Sequence, residues 1–329
     1  MTNNKRIRLS VVIPTYNRAK DLKKCLDSLL LQTFKDFEIL VIDNGSTDET
    51  SQLLKEYPVR VIQDSTKNVF HLFNLGWKNS QADIIVFTND DVETVPGWLE
   101  QILITFEQFK GAGAVGGPTV LPLACMNNQE MLSLHAKAQK NPVFKILSGI
   151  YESFIMEGKY AKIGVLCESG SYSVGGSLLE STKLSQPISV DLLSITNLAV
   201  KRYILEEVGG LDENFMFNHG DGDLFIRMRK NCYQLIFNPK VMVWHYVNPA
   251  GNTRGAFWRG RDHAYFLEKD IKPKTLSGKF KLFLNVVFFN LFWVYKAIAS
   301  KKISYLRGNL GYLKGMSDYY KNKINSKLR

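Results

Sequence analysis

The sequence has few cysteines and no spacing that would link them. Its 329 residues include four, Cys25, Cys125, Cys167 and Cys232, and no two of them form a Cys-x-x-Cys pair. Disulfide scaffolds and zinc knuckles both depend on closer, regular cysteine spacing, so the sequence argues against both. Scattered free thiols instead favour a reducing compartment.

The start of the sequence does not have the pattern expected of a secretory leader. The N-terminus is basic, but the apolar run behind it, Leu9 to Ile13, is short and is stopped by Pro14. A signal peptide needs a longer apolar region followed by a cleavage site of small residues. We therefore expect a cytoplasmic protein whose catalytic part faces the cytosol.

Excess positive charge is absent from most of the chain. Residues 1–267 carry 28 basic and 28 acidic side chains, whereas residues 268–329 carry 14 basic and 3 acidic ones. A globular surface that binds nucleic acid would be basic, so no nucleic-acid partner is expected. The charge instead predicts an anionic partner for the C-terminal region.

Hydrophobic periodicity predicts an α/β fold. Short apolar runs at Leu9–Ile13, Phe37–Ile42, Val59–Ile62 and Asp83–Phe87 indicate buried strands. Between the first two, residues 20–32 place leucines at helical spacing. Strands that alternate with helices at this pace predict a mostly parallel sheet flanked by helices on both faces.

Polar clusters follow three of these strands, at Pro14–Arg18, Asp43–Ser46 and Asn89–Asp91. Ligands of open parallel sheets bind outside the carboxyl ends of the strands. The clusters supply an aromatic ring, a carboxylate that can accept from a base N–H, and paired carboxylates for a hard divalent cation. They predict a nucleotide diphosphate site with Mg²⁺ or Mn²⁺, although Asp43 or Asn89 alone could equally form an Asx turn.

The runs Val11–Arg18 and Ile39–Asp48 resemble the opening motifs of the family 2 glycosyltransferases of the GT-A fold, and the resemblance extends over about residues 8–248. In that family the segment around Asn68 closes over the donor, and Asp43 contacts the base. The resemblance implies a nucleotide-sugar-binding set of Pro14, Thr15, Tyr16, Asn17, Arg18, Asp43, Asn44, Asn68, Asn89 and Asp90.

The third cluster falls where the family has its Asp-x-Asp motif, but Asn89 replaces the first acid. The resemblance implies that Asp91 binds the metal and that Asp90 contacts the ribose or lies behind the metal ligands. It also implies that His245 completes the metal site, with His219 as a rival.

Acceptor-side motifs of the family are resembled by Gly209–Glu213 and Phe217–Arg227. Gly220 stands where an acid is usual, and the next residue, Asp221, matches the catalytic base. Asp223 and Arg227 match structural partners. An acid at a helix start is also what helix capping alone selects, so capping is the alternative for Asp221.

The resemblance implies an inverting transferase that moves a sugar from a UDP-sugar to a hydroxyl of a glycan or lipid-linked acceptor, in the synthesis of cell-surface polysaccharide. Its GT-A catalytic domain would span residues 1–250, with the donor half at about 1–110 and the acceptor half at about 111–250. A catalytically inactive binding subunit is the alternative, because two expected acids are replaced. A sugar-phosphate nucleotidyltransferase or a dehydrogenase would need a glycine-rich loop after the first strand, which is missing here.

The C-terminal region, residues 251–329, is basic, aromatic-rich and expected to be helical. Its apolar segment 277–299 has 14 residues between Lys281 and Lys296, short of the about 20 that a membrane span needs. We expect residues 277–329 to lie on the cytosolic face of a membrane as a peripheral element. Packing of this segment on the catalytic domain is the alternative.

Overall fold

A computed structural model describes residues 7–122, 125, 141–175, 179–247 and 255–327. These residues form two compact units that interleave along the chain. The first unit comprises Met1–Pro122, Gly176–Asn214 and Gly220–Val247, and the second comprises Leu123–Gly175, Phe215–His219 and Asn248–Arg329. The boundary near residue 250 that the sequence suggests stays a prediction, and the last two residues of the expected membrane element lie outside the described residues.

The strands of the described chain are short and mostly buried. Their bounds are β1 (Leu9–Thr15), β2 (Phe37–Asp43), β3 (Arg60–Gln63), β4 (Ile84–Thr88), β5 (Val92–Thr94), β6 (Ala112–Gly116), β7 (Thr119–Val120), β8 (Val165–Leu166), β9 (Tyr172–Ser173), β10 (Ile188–Val190), β11 (Asn197–Lys201), β12 (Gln234–Phe237) and β13 (Val243–His245).

The first unit is built on an eight-stranded mixed sheet in the order β10-β12-β6-β11-β4-β1-β2-β3. Strands β4, β1, β2 and β3 run parallel to one another, whereas β11 runs antiparallel to both β4 and β6. A smaller sheet joins β5, β13 and β7. The α/β class that the sequence predicts is confirmed.

Helices cover this sheet and form most of the second unit. Their bounds are α1 (Ala19–Leu30), α2 (Thr50–Leu54), α3 (Val69–Asn79), α4 (Trp98–Gln108), α5 (Pro142–Ile150), α6 (Arg202–Val208), α7 (Gly220–Lys230), α8 (Ala256–Asp270), α9 (Leu276–Ser300) and α10 (Arg307–Lys327). Single helical turns lie at Tyr151–Ile155, Leu179–Lys183 and Ile303–Leu306.

Helix α1 shows how sequence spacing becomes packing. Its residues Leu22, Leu26 and Leu29 are fully buried in the core that β1 and β2 share with α4, as the helical spacing predicts. Leu30, next to them in sequence, lies at the edge of this stripe and is 40% exposed. One apolar stripe is therefore enough to hold α1 on the sheet.

The sequence alone predicts a helix over Asn74 to Ser80, but helix α3 begins at Val69, five residues earlier. The side chain of Asn68 accepts hydrogen bonds from the backbone N–H groups of Phe70 at 2.9 Å and His71 at 3.3 Å. These bonds satisfy two of the amides that a helix start leaves without partners. The cap therefore extends the helix back to Val69.

The second unit contains the long helix α9. It has 25 residues, and by length and composition it is the one helix in the described part of the chain that could cross a membrane. On its buried side, Trp293 and Ala297 pack in a small cluster with Tyr305, which follows the helix. An in-plane position for this segment stays a prediction.

Candidate active site

Parallel pairing brings the three polar clusters to one edge of the large sheet. Thr15, the last residue of β1, pairs with Asp43, the last residue of β2, and Val12 of β1 pairs with Phe87 of β4. Since β1 lies between β2 and β4, all three strands end on the same side. The residues that follow them converge there.

Arg18 connects the first cluster to the third. Its Nη1 donates to Asp91 Oδ2 at 2.6 Å and lies 3.3 Å from Asp90 Oδ1. Thr15 Oγ1 donates to the other oxygen of Asp90 at 2.8 Å. The two adjacent carboxylates are nearly buried. The positive charge of Arg18 therefore compensates negative charge that is shielded from water.

The two carboxylates of this pair differ in proton affinity. Burial raises the pKa of Asp90 to about 6, against the lowering effect of the nearby Arg18 charge. Burial also acts to raise the pKa of Asp91, but the adjacent imidazole of His245, together with the Arg18 guanidinium, leaves it below its usual value. Asp91 is therefore the side chain of the pair that stays ionised most readily.

His245 completes the arrangement from the other sheet. The antiparallel register of β5 and β13 pairs His245 with Val92, which places the imidazole beside Asp91. Its Nε2 lies 3.1 Å from Asp91 Oδ1, and Tyr246 N donates to the Asp91 carbonyl at 2.8 Å. The buried Asp91 Oδ1 makes no hydrogen bond of good geometry in the described structure.

This oxygen and nitrogen fit a divalent cation. Ligands on adjacent corners of an octahedron, each about 2.1 Å from the metal, lie about 2.9 Å apart, close to the separation seen here. Within the described residues no group of three or more His, Cys, Asp or Glu side chains could hold a metal. A cation held with a nucleotide diphosphate needs few protein ligands, because phosphate oxygens and waters supply the rest.

Asn89 is held by the sheet rather than by the acidic pair. Its Nδ2 donates to Thr196 Oγ1 at 3.2 Å, just before β11, and its backbone carbonyl accepts from Cys25 Sγ at 3.5 Å. An amide can donate this bond to the hydroxyl, whereas an ionised carboxylate could only accept one. Asn89, which stands in place of the expected acid, therefore has a hydrogen-bond partner in Thr196.

Asp43 is fully buried and organises its own turn. Its Oδ1 accepts from Ser46 N at 3.0 Å, and its Oδ2 accepts from Gln63 Nε2 at 2.9 Å. The neighbouring residue Asn44 donates its N–H to the Thr15 carbonyl at 2.9 Å. The Asx turn that the sequence allowed is present, and Gln63 is a partner that sequence reasoning missed.

Asn17 ties the first and second loops together. It has a positive φ of 51°, and its Oδ1 accepts from Thr47 N at 2.7 Å. The adjacent Tyr16 is 53% exposed, so its ring is accessible beside these loops. Pro14 is partly buried at the end of β1.

Asn68 links the donor side of the unit to the turn at residues 209–213. Besides capping α3, its Nδ2 donates to the Glu213 carbonyl at 2.7 Å. His71 Nδ1 lies 2.8 Å from Glu213 Oε2 and its Nε2 lies 3.5 Å from Asp64 Oδ2. The hydrogen bond that His71 makes to Glu213 is the main cause that raises the pKa of His71. Local sequence patterns assign no role to His71.

Asp221 lies in the first turn of α7. Its Oδ1 accepts from Gly222 N at 2.9 Å, and its Oδ2 lies 3.4 Å from Ile195 N. Burial raises the pKa of this carboxyl, and the backbone donors oppose that effect. The carboxylate is thus positioned by amides alone among its described hydrogen bonds.

Gly220 has a structural reason of its own. A Cβ added at this residue would lie 2.6 Å from the ring of Phe70. Phe70 is buried at the start of α3, so its ring has little room to move. The space that an acidic side chain would occupy here is filled by an aromatic ring 150 positions earlier.

Asp223 and Arg227 form an ion pair on α7. Asp223 Oδ2 accepts from Arg227 Nε at 2.9 Å and Nη2 at 2.6 Å, and the carboxylate is fully buried. His219 belongs to the second unit, where its Nε2 lies 3.2 Å from His263 Nδ1 and its ring stacks on Phe266. His219, the alternative to His245 as a metal ligand, is therefore packed against other side chains.

Comparison with known proteins agrees with this architecture. The model of glycosyl transferase family 2 matches residues 10–144, which include the ends of β1, β2 and β4. Residues 10–144 are therefore similar to a family 2 glycosyltransferase domain. The chain is 32% identical over 117 residues to the glycosyltransferase AglE of Haloferax volcanii, a match that covers 33% of this chain and 38% of the relative. The chain thus spans well under half the length of that archaeal protein.

A second relative matches a longer part of the chain than this domain. An N-acetylglucosaminyl-diphospho-decaprenol L-rhamnosyltransferase of Mycobacterium tuberculosis is 27% identical over 252 residues, covering 72% of this chain and 76% of the relative. The mannosyltransferase PcManGT of Pyrobaculum calidifontis, solved with GDP-mannose and Mn²⁺, superposes with a TM-score of 0.56 at 15% identity, covering 94% of this chain and 87% of that chain. At this identity the structural likeness shows a shared GT-A fold.

Proposed function

We propose that this chain is a metal-dependent, inverting glycosyltransferase. It transfers a sugar from a nucleotide diphosphate sugar, most specifically a UDP-sugar, to a hydroxyl of a glycan or lipid-linked acceptor in cell-surface polysaccharide synthesis. The observation that carries the proposal is the convergence of Arg18, Asp90, Asp91 and His245 at the strand ends of a family 2 domain.

The relatives support the finer parts of this proposal. The mycobacterial relative is named for rhamnosyl transfer to a lipid-linked sugar, which favours a lipid-linked acceptor here. PcManGT is a complex with Mn²⁺ and a nucleotide sugar, and GalNAc-T7, with a TM-score of 0.55 at 13% identity, is a complex with UDP and Mn²⁺. We infer that this chain uses Mn²⁺ or Mg²⁺ and acts as a peripheral protein on the cytosolic face of a membrane.

Binding of the donor falls to the strand-end residues. Asp91 and His245 would hold the cation, which when bound neutralises negative charge on the diphosphate leaving group. Arg18 contacts the carboxylates of Asp90 and Asp91 and places a second positive charge beside them. The exposed ring of Tyr16 and the organised turn at Asp43 offer a surface for the base.

Asp221 serves as the general base. As the acceptor oxygen forms its bond to the anomeric carbon and the bond to the nucleotide diphosphate breaks, the acceptor proton passes to the Asp221 carboxylate. Burial raises the pKa of Asp221, which makes its carboxylate a stronger base. A single in-line displacement inverts the anomeric configuration.

Replacing Asp221 by Asn tests this assignment. We expect transfer to fall by about 10³-fold, because the amide cannot take the proton, while the Kd of the donor changes little. Wild-type kcat/KM should also fall as pH decreases through the raised pKa of Asp221. Glu206→Gln, which changes an exposed acid of α6, is the matched control. Unchanged transfer in Asp221→Asn would contradict the role.

A catalytically inactive binding subunit is the second candidate, and the replaced acids at Asn89 and Gly220 favour it. Both replacements have local partners, Thr196 for Asn89 and Phe70 for Gly220. Such fitting is compatible with an active enzyme that has adapted its neighbours. Nucleotide-sugar binding without turnover in the wild-type protein would identify the inactive subunit.

A further inference from the structure

An exposed apolar stripe runs along helix α9. Its members recur every three or four residues, which places them on one face of the helix. Except for Val287, which is partly buried, they are 38–85% exposed. The stripe consists of Leu276, Phe280, Phe283, Val287, Leu291, Val294 and Ile298. At 1.5 Å per residue it is about 33 Å long.

The opposite face of α9 is fixed to the rest of the second unit. Asn285 is buried, donates to the Ser169 carbonyl at 3.0 Å and accepts from Tyr151 OH at 3.2 Å. Lys296 is also buried, with its Nζ 4.4 Å from the centre of the Tyr305 ring. A helix that crossed a bilayer would have to give up these contacts and carry the lysine into hydrocarbon, which is costly.

The stripe continues onto the turn that follows α5. The ring of Phe154 packs 6.3 Å from that of Phe280, and both rings remain exposed. Ile150, one turn before Phe154, is exposed as well. The apolar surface is therefore wider than a single helix, and contiguous exposed apolar surface of this kind marks an interaction site.

Charge around the stripe identifies its partner. Exposed lysines lie at both ends of α9, at positions 279, 301 and 302. Asp318 is the only acidic residue in positions 271–329, and it is already paired with Arg261 and Lys314. A second copy of this surface would bring like charges together, whereas the anionic headgroups of a lipid bilayer would be attracted.

We infer that the α9 stripe docks in the plane of an anionic lipid bilayer. The apolar side chains enter the boundary between headgroups and acyl chains, while the lysines contact the headgroups. This inference rests on the membrane-proximal function proposed above and adds its contact face and its in-plane mode. It predicts that docking is reversible and weakened by salt.

Flotation with phosphatidylcholine vesicles, with and without phosphatidylglycerol, tests the partner. We expect the full-length protein to float with the anionic vesicles, and each Lys→Gln change at 279, 301 or 302 to weaken partitioning about fivefold. The double variant Phe283→Glu with Leu291→Glu should lose flotation. Leu31→Glu, which changes an exposed leucine of the first unit, is the matched control and should float like wild type.

Further measurements keep the outcomes distinct. Alkaline carbonate should release the wild-type protein from membranes, and resistance to extraction would overturn the in-plane mode. Light scattering that shows a dimer, lost in Phe283→Glu with Leu291→Glu, would assign the stripe to a second copy instead. Binding of UDP with Mn²⁺ in vesicle-free buffer should be the same in this variant and wild type. Loss of flotation with retained nucleotide binding supports the docking face, and absence of nucleotide binding in both would count against the proposed function alone.

Discussion

Asp90 and Asp91 at the end of β4 are buried and Asp221 at the start of α7 is partly buried, but their negative charges are compensated differently. Asp90 and Asp91 share the guanidinium of Arg18, and Asp91 also faces His245. The described hydrogen bonds of Asp221 come from backbone amides alone. Charged partners favour an ionised carboxylate, whereas burial without a charged partner favours protonation.

This contrast divides the chemistry between two regions. In the proposed reaction, ionised Asp91 suits the binding of a cation, and the cation in turn neutralises the diphosphate. Asp221 suits the exchange of a proton during the reaction, because burial raises its pKa. Three substitutions test this difference.

The largest effect is expected from Asp91→Asn. The amide keeps the shape of the side chain but removes the charge that would hold a cation, so turnover should fall by about 10³-fold. The Kd for Mn²⁺ with UDP, measured by calorimetry, should rise in parallel. Glu49→Gln, an exposed acid near α2, should leave both values unchanged.

A different result would alter the comparison directly. If Asp91→Asn kept its affinity for Mn²⁺ and UDP and lost only turnover, Asp91 would act in the chemical step, and the contrast with Asp221 would fail.

A smaller effect is expected from Gly220→Ala at the start of α7. The added methyl group meets the Phe70 ring, so the free energy of unfolding should fall by about 1–3 kcal/mol. Urea denaturation measures this change, and Phe70→Leu in the same chain should restore part of the loss. If the two substitutions are strictly additive, the ring does not fill this space.

The smallest effect concerns His71, whose ring contacts Glu213 in the turn before α7. Because the pKa of folded His71 is raised, its contribution to stability is complete below the unfolded pKa of about 6.5 and is lost as pH rises through the folded value. His71→Gln should therefore remove about 0.5 kcal/mol at pH 6 and less at pH 9, since the pair is partly exposed. Lys67→Gln is the control, and a pH-independent difference would contradict the ion pair.

Local patterns in the sequence predict the framework of the site. The apolar runs of β1, β2 and β4 end in polar residues, and parallel pairing then brings those ends together. Likewise, helix α1 follows from its leucine spacing. Such features depend on neighbours a few residues away, which a sequence displays directly.

Contacts between distant segments could not be predicted in this way. Gly220 packs against Phe70, and Asn89 bonds to Thr196, but neither pair shares a local pattern. The start of α3 is different, because Asn68 is a residue type that commonly caps helices and its position is visible in the sequence. The pairing of Asp91 with His245 was expected from family resemblance rather than from residue spacing.

The proposed transferase activity is measured by the release of nucleotide diphosphate from a panel of UDP-, GDP- and dTDP-sugars, with Mn²⁺ and with EDTA. We expect release from a UDP-sugar that requires Mn²⁺ and is lost in Asp221→Asn. Tight binding of these donors without release from any of them would contradict it and would identify a binding subunit.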